Sequence, residues 1–124
     1  MTNTAQGHTG RLTTHVLDTM SGVPGAGLVI ELFSLDGPQR RLMRSVVTNA
    51  DGRSPEPLLE GMAMAPGAYE LVFHVGDYFR GRGVGGDHAF LDQVPVRFGI
   101  SDAGQHYHVP LLVSPYGYTT YRGS

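Results

Sequence analysis

The sequence predicts an all-β domain, a sandwich or barrel of seven or eight short strands. Three observations carry that expectation. Apolar residues recur with period two in segment after segment, the segments follow one another about every 8–12 residues, and 18 glycines and 8 prolines punctuate the 124 residues. A chain so rich in turn formers leaves no room for long helices.

Residues 1–10 are polar and glycine-containing, and are expected to form a flexible arm ahead of a single domain over 11–124. Leu12, Thr14 and Val16 then alternate with Thr13, His15 and Leu17, which reads as a strand ending near Asp18. Thr19 to Gly27 is turn chemistry, Leu28 to Ser34 a second strand apolar on both faces apart from Glu31, and Asp36-Gly37-Pro38 a turn into a third strand from Arg41 to Thr48. In Asn49-Ala50-Asp51-Gly52 the Asn side chain initiates a tight turn and Gly accepts positive φ, so Arg53 leaves in a fixed direction. Residues 54–66 hold three prolines and read as loop with one weak strand.

Ala68 to Val75 shows the clearest alternation: Tyr69, Leu71, Phe73 and Val75 on one face, Glu70, Val72 and His74 on the other. Asp77 is expected to N-cap a single helical turn that Gly81, Gly83, Gly85 and Gly86 keep short. Val94, Val96, Phe98 and Ile100 mark the next strand, and Tyr107, Val109, Leu111 and Val113 another. Ser114-Pro115-Tyr116-Gly117 suits a type I turn into a last strand from Tyr118 to Arg122.

Composition excludes several functions. Charged residues supply 16%, against roughly 25% in ordinary domains, which favours self-association of a surface short of charge. The net charge is −2 and all nine basic residues are arginine. The densest basic cluster, Arg40-Arg41-x-x-Arg44, reads as a solvated strand edge, so no nucleic-acid footprint is expected. The absence of cysteine removes disulfides, thiolate catalysis and cysteine-ligated zinc. No apolar stretch suits an export signal or a membrane span, so the expected place is the cytoplasm, with no membrane partner.

Six histidines remain to carry chemistry. In His106-Tyr107-His108 the two rings share one strand face and Tyr107 packs on the other; His15 joins them if the two strands are neighbours. His8, His74 and His88 read as structural, and His106 as support for His108. Two chemistries fit: a three-histidine zinc site with an open position, or metal-free proton transfer with an arginine holding substrate oxygens.

Leu12-Thr13-Thr14-His15-Val16-Leu17-Asp18, Thr48-Asn49-Ala50-Asp51-Gly52-Arg53, Gly76-Asp77-Tyr78-Phe79, His106-Tyr107-His108-Val109-Pro110-Leu111-Leu112 and the ending Ser114 to Ser124 with its Tyr-Arg-Gly-Ser finish resemble the 5-hydroxyisourate hydrolases, the transthyretin-related proteins of purine catabolism. The resemblance runs from residue 11 to residue 124. It implies a two-sheet transthyretin-like β-sandwich with one short helix, a homotetramer built as a dimer of dimers, and active sites between dimers. It further implies hydrolysis of 5-hydroxyisourate to 2-oxo-4-hydroxy-4-carboxy-5-ureidoimidazoline with no metal or other cofactor. Carried over residue by residue, His15, Arg53, His108 and Ser124 are the expected catalytic set, and His15, Arg53, His108, Tyr121, Arg122 and Gly123 the expected substrate contacts.

In that reading His108, helped by His15, deprotonates water, Arg53 holds the substrate oxygens, and Ser124 adds a hydroxyl and its α-carboxylate. Tyr116 and Tyr118 fall at the dimer edge, while Tyr121 lines the pocket. The sequence departs from the family at Ala89-Phe90-Leu91-Asp92, where many relatives have Phe-Phe-Pro, and at Thr119-Thr120, where Ser-Thr is more usual. A transthyretin-like carrier without catalysis and a zinc hydrolase are the alternatives.

Overall fold

The period-two segments become strands in the computed structural model, which describes residues 10–124. In chain order they are β1 (Arg11–Asp18), β2 (Val23–Pro24), β3 (Val29–Ser34), β4 (Arg41–Val47), β5 (Leu59–Glu60), β6 (Gly67–Phe73), the helix α1 (Val75–Arg80), β7 (Val94–Ile100), β8 (His106–Ser114) and β9 (Gly117–Thr120). β2 and β5 are two-residue bridges, so seven full strands carry the fold. One sheet runs β2-β1-β8-β9 with β5 also on β1; the other runs β4-β3-β6-β7.

The alternation read from the sequence is what faces the sheets to each other. Leu12, Val16 and Leu111 from one sheet and Ile30, Leu32, Leu71 and Phe73 from the other are fully buried between them, each side chain contributing about 1.5–3 kcal/mol. Thr13, His15, His106 and His108 alternate with that buried set and so lie on the outer face of the first sheet. Among the described strands only β1 and β8 pair in parallel, with Arg11 opposite His106, Thr13 opposite His108 and His15 opposite Pro110.

Three readings are corrected in detail. The expected strand to Val75 stops at Phe73, and α1 begins at Val75 with His74 as N-cap, so Asp77 sits inside the first turn and pairs with Arg80 instead of capping. The reason is packing: Val75, Tyr78 and Phe79 are buried, and Gly76 lies so close to Asp92 that a Cβ there would stand 2.7 Å from its Oδ1. The last strand ends at Thr120, short of Arg122. The expected arm, 1–10, falls outside the described residues together with His8, except for Gly10, which is buried against the backbone of Ala103 and Gln105.

Two buried carboxylates are held by side-chain donors, Asp18 by one on α1 and Glu70 by arginines on or beside the strands of its own sheet. Asp18, 1% exposed, accepts from the Tyr78 hydroxyl at 2.8 Å and the Ser21 N–H at 2.9 Å. Burial first, then the hydrogen bond to Asp18 and its charge, push the Tyr78 hydroxyl up to about 12. Glu70 on β6 lies under Arg40 (Nη1 at 2.6 Å) and Arg97 (Nε at 3.0 Å). Arg40, expected in a solvated edge cluster, also covers the Phe33 ring at 3.9 Å. No helix among the described residues is long and apolar enough to cross a membrane.

Candidate active site

The outer face of β1 and β8 forms one wall of a cavity of about 370 Å³; the segment from Arg53 to Pro57 forms the other, and Ser124 also lines it. Strand register places the first wall. The Thr13 hydroxyl is 2.8 Å from His106 Nε2 and 2.8 Å from His108 Nδ1, so one oxygen bridges both rings. The ring centroids of His106 and His108 are 6.2 Å apart, as expected for residues two apart on a strand.

The second wall is positioned by the turn after β4. Asn49 Oδ1 accepts from the N–H groups of Asp51 (3.0 Å) and Arg53 (3.1 Å), and Gly52 takes φ 76°. A Cβ on Gly52 would lie 2.4 Å from the Val16 carbonyl oxygen, so glycine lets the turn lie directly against β1. The Gly52 carbonyl accepts from Val16 N–H at 2.8 Å, and Arg53 forms a β-bridge with His15. His15 stands beside the cavity with Nε2 at 2.8 Å from the Asp51 carbonyl oxygen. A carbonyl can only accept, so Nε2 carries the hydrogen of that bond.

Gly123 lies against the outer face of β8. Its N–H donates to the His108 carbonyl at 2.8 Å, and a Cβ there would stand 2.5 Å from His108 Cδ2. His108 is held below the usual histidine range by burial, then by the charges of Arg53, His106 and His15. His106 is lowered too, by burial and by Arg11 and Arg122. Both rings are therefore neutral at pH 7, with lone pairs available for protons.

Of the residues expected to act, His108, Arg53 and Ser124 line the cavity, His15 borders it, and Gly123 packs on the His108 ring. Tyr121 and Arg122 do not reach it. They line a separate groove of about 350 Å³ with Phe98, Tyr107 and Val109, because the chain after Thr120 turns Arg122 over the Tyr107 ring at 4.2 Å. Thr13, Arg11 and Glu56 line the cavity and were not singled out from the sequence. The signal for Thr13 was there: a hydroxyl two residues before His15 must share its face.

His74, read as structural, bonds Glu31 at 2.7 Å on the other sheet. Among the described residues no group of three or more His, Cys, Asp or Glu is arranged to hold a metal ion.

Fold and site define a class: a two-sheet sandwich of the transthyretin type whose outer face carries neutral histidines opposite an arginine. The profile of the HIUase/Transthyretin family matches residues 12–123, and the chain belongs to that family. It is 65% identical over 116 residues to 5-hydroxyisourate hydrolase 2 of Rhizobium meliloti, covering 93% of this chain and 97% of that one. Among solved structures, (S)-allantoin synthase is similar at 45% identity and a TM-score of 0.89, over 94% of this chain but only 44% of the synthase. Sea bream transthyretin in complex with thyroxine is similar at 25% identity and a TM-score of 0.81, over 91% of this chain and 94% of that one. Backbone shape thus serves both a hydrolase and a thyroxine-bound transthyretin, and the side chains on β1, β8 and the Arg53 turn must tell them apart.

Proposed function

We propose that this chain hydrolyses 5-hydroxyisourate, water adding to the ring carbonyl beside nitrogen, to give 2-oxo-4-hydroxy-4-carboxy-5-ureidoimidazoline in urate breakdown. One observation carries the mechanism: a neutral His108, anchored through Nδ1 by Thr13, shares a cavity with Arg53. His108 Nε2 makes no hydrogen bond among the described residues and takes the proton from water; a positioned base contributes about 10² to 10⁴ in rate. The Arg53 guanidinium holds the carbonyl oxygen as it becomes negative, a contribution of about 3–4 kcal/mol for one donor.

His15, its ring held by Nε2–H on the Asp51 carbonyl, helps His108 orient water or substrate. Ser124 lines the cavity where the substrate is proposed to bind and Gly123 holds the His108 ring; Tyr121 and Arg122 of the same chain line the neighbouring groove. The test is to form 5-hydroxyisourate from urate in place and follow its ultraviolet absorbance with and without the protein. Faster decay is expected, lost by orders of magnitude in His108→Ala and Arg53→Ala. Decay unchanged by the wild-type protein, or ligand bound without turnover as in a carrier, contradicts the reading.

The same reading includes a homotetramer, a dimer of dimers in which edge strand β9 pairs with its counterpart. Tyr116 and Tyr118 are exposed at that edge, where a bare strand needs cover. Size-exclusion at the 13.3 kDa monomer mass contradicts it. The cytoplasm is the proposed location, and fractionation tests it.

A further inference from the structure

We propose that Thr13 is a positioning residue that relays a proton between His108 and His106 during turnover. The inference rests on His108 being the base. A hydroxyl owns one hydrogen, and Thr13 Oγ1 stands 2.8 Å from a nitrogen of each ring. With both rings neutral it can donate to only one of them, and the arrangement that keeps both contacts and pairs its own hydrogen has it donate to one and accept from the other. Its orientation therefore couples the two tautomers.

When Thr13 donates to His106 Nε2, it accepts from His108 Nδ1–H, and His108 Nε2 is a bare lone pair facing the cavity. That is the base. When it donates to His108 Nδ1, it accepts from His106 Nε2–H, and His108 carries its hydrogen on Nε2. That is the acid.

The relay balances. Water gives a proton to His108 Nε2 as its oxygen bonds to the substrate carbonyl carbon. His108 passes its Nδ1 proton to Thr13 Oγ1, which releases its own to His106 Nε2. His108 is then neutral with hydrogen on Nε2, and His106 is the cation. When the carbon–nitrogen bond breaks, Nε2–H protonates the departing nitrogen. His106 returns its proton through Thr13 to His108 Nδ1, and the site is reset.

The surroundings suit a transient carrier. Burial, then the charges of Arg11 and Arg122, disfavour the charged form of His106, so the proton does not rest there, while burial, then Arg53, His106 and His15, do the same at His108. Thr13 is otherwise a half-buried strand residue whose methyl makes valine a close match in shape.

The test compares Thr13→Val, Thr13→Ser and His106→Leu with the wild type, reading kcat and KM separately and the solvent isotope effect in mixtures of H₂O and D₂O. The relay predicts that kcat falls about 10- to 100-fold in Thr13→Val, part of the 10² to 10⁴ of a full acid–base step, with KM within twofold. Thr13→Ser restores at least half of kcat. His106→Leu matches the loss, and the double variant Thr13→Val/His106→Leu loses no more. The isotope dependence, curved in the wild type because several protons move together, becomes linear.

Wild-type kcat in Thr13→Val overturns the proposal. So does a loss that serine does not rescue with the curvature kept, which is the signature of packing alone. If Thr13→Val does not fold, His106→Leu decides, its ring being exposed: unchanged kcat and curvature overturn the relay. His108→Gln at the wild-type rate instead removes His108 as the base, a failure distinct from that of Thr13.

Discussion

Gly123→Ala is expected to disable the site through a single methyl group. The new Cβ would stand 2.5 Å from Cδ2, 3.2 Å from Cγ and 3.4 Å from Cβ of His108, whereas carbons rest at about 3.5–4.0 Å. A retreat of about 1 Å is required. The backbone cannot supply it, because β8 is laddered to β1 and β9, and Gly123 N–H is bonded to the His108 carbonyl at 2.8 Å. The ring must swing instead, and that breaks its 2.8 Å contact with Thr13.

A 1 Å displacement of a reacting group costs about 10² in rate, so kcat/KM should fall roughly 100-fold. The fold itself should hold, because the nearest atoms belong to a half-buried ring outside the inter-sheet core, and the melting temperature should shift by less than about 4 °C. The assay is the decay of 5-hydroxyisourate made in place, with circular dichroism melting on the same samples. Wild-type kcat/KM in a folded Gly123→Ala protein would refute the steric account.

Other outcomes follow from the same contacts. Because His108 is held below the usual value of 6.5 by burial and by Arg53, His106 and His15, it stays a free base until the pH falls through its lowered pKa. The acid limb of kcat/KM should therefore lie below about 6.5 and move upward in Arg53→Gln; a limb that stays in place contradicts the assignment. Burial alone would raise the Glu70 carboxyl, but the hydrogen bonds and charges of Arg97 and Arg40 lower it below 4.5. Its contribution is full above 4.5 and is lost as pH falls toward the folded value. Glu70→Gln should cost about 1–2 kcal/mol at pH 7 and less at pH 3 by urea unfolding; an equal loss at both shows no ionic part. Tyr78→Phe leaves the buried Asp18 carboxylate short of a donor and should cost about 1–3 kcal/mol, read from the urea midpoint; no shift means that water replaces the hydroxyl.

The inward faces of β1, β6 and β8 were legible because their alternation is uninterrupted, as in Tyr69-x-Leu71-x-Phe73. The start of α1 was not, since Val75 continues that alternation and only its packing with Tyr78 and Phe79 pulls it into a helix. His106 and His108 on one face follow from period two. Which strand faces them depends on a pairing between residues almost a chain length apart, and period two says nothing of that. Tyr121 and Arg122 were placed in the pocket by resemblance, while the turn after Thr120 and the ring of Tyr107 send them elsewhere. Arg53 was readable because Asn49 and Gly52 specify its turn locally.

The parallel ladder of β1 and β8 also bears on how the protein becomes active. Thr13 and His108 are separated by 95 positions, and such distant pairings are costly to close and slow to form. No hairpin or local fragment can hold both, so the cavity is absent from any half-folded chain. A substitution that weakens the sandwich anywhere thus reduces the number of working molecules and leaves each survivor at full speed.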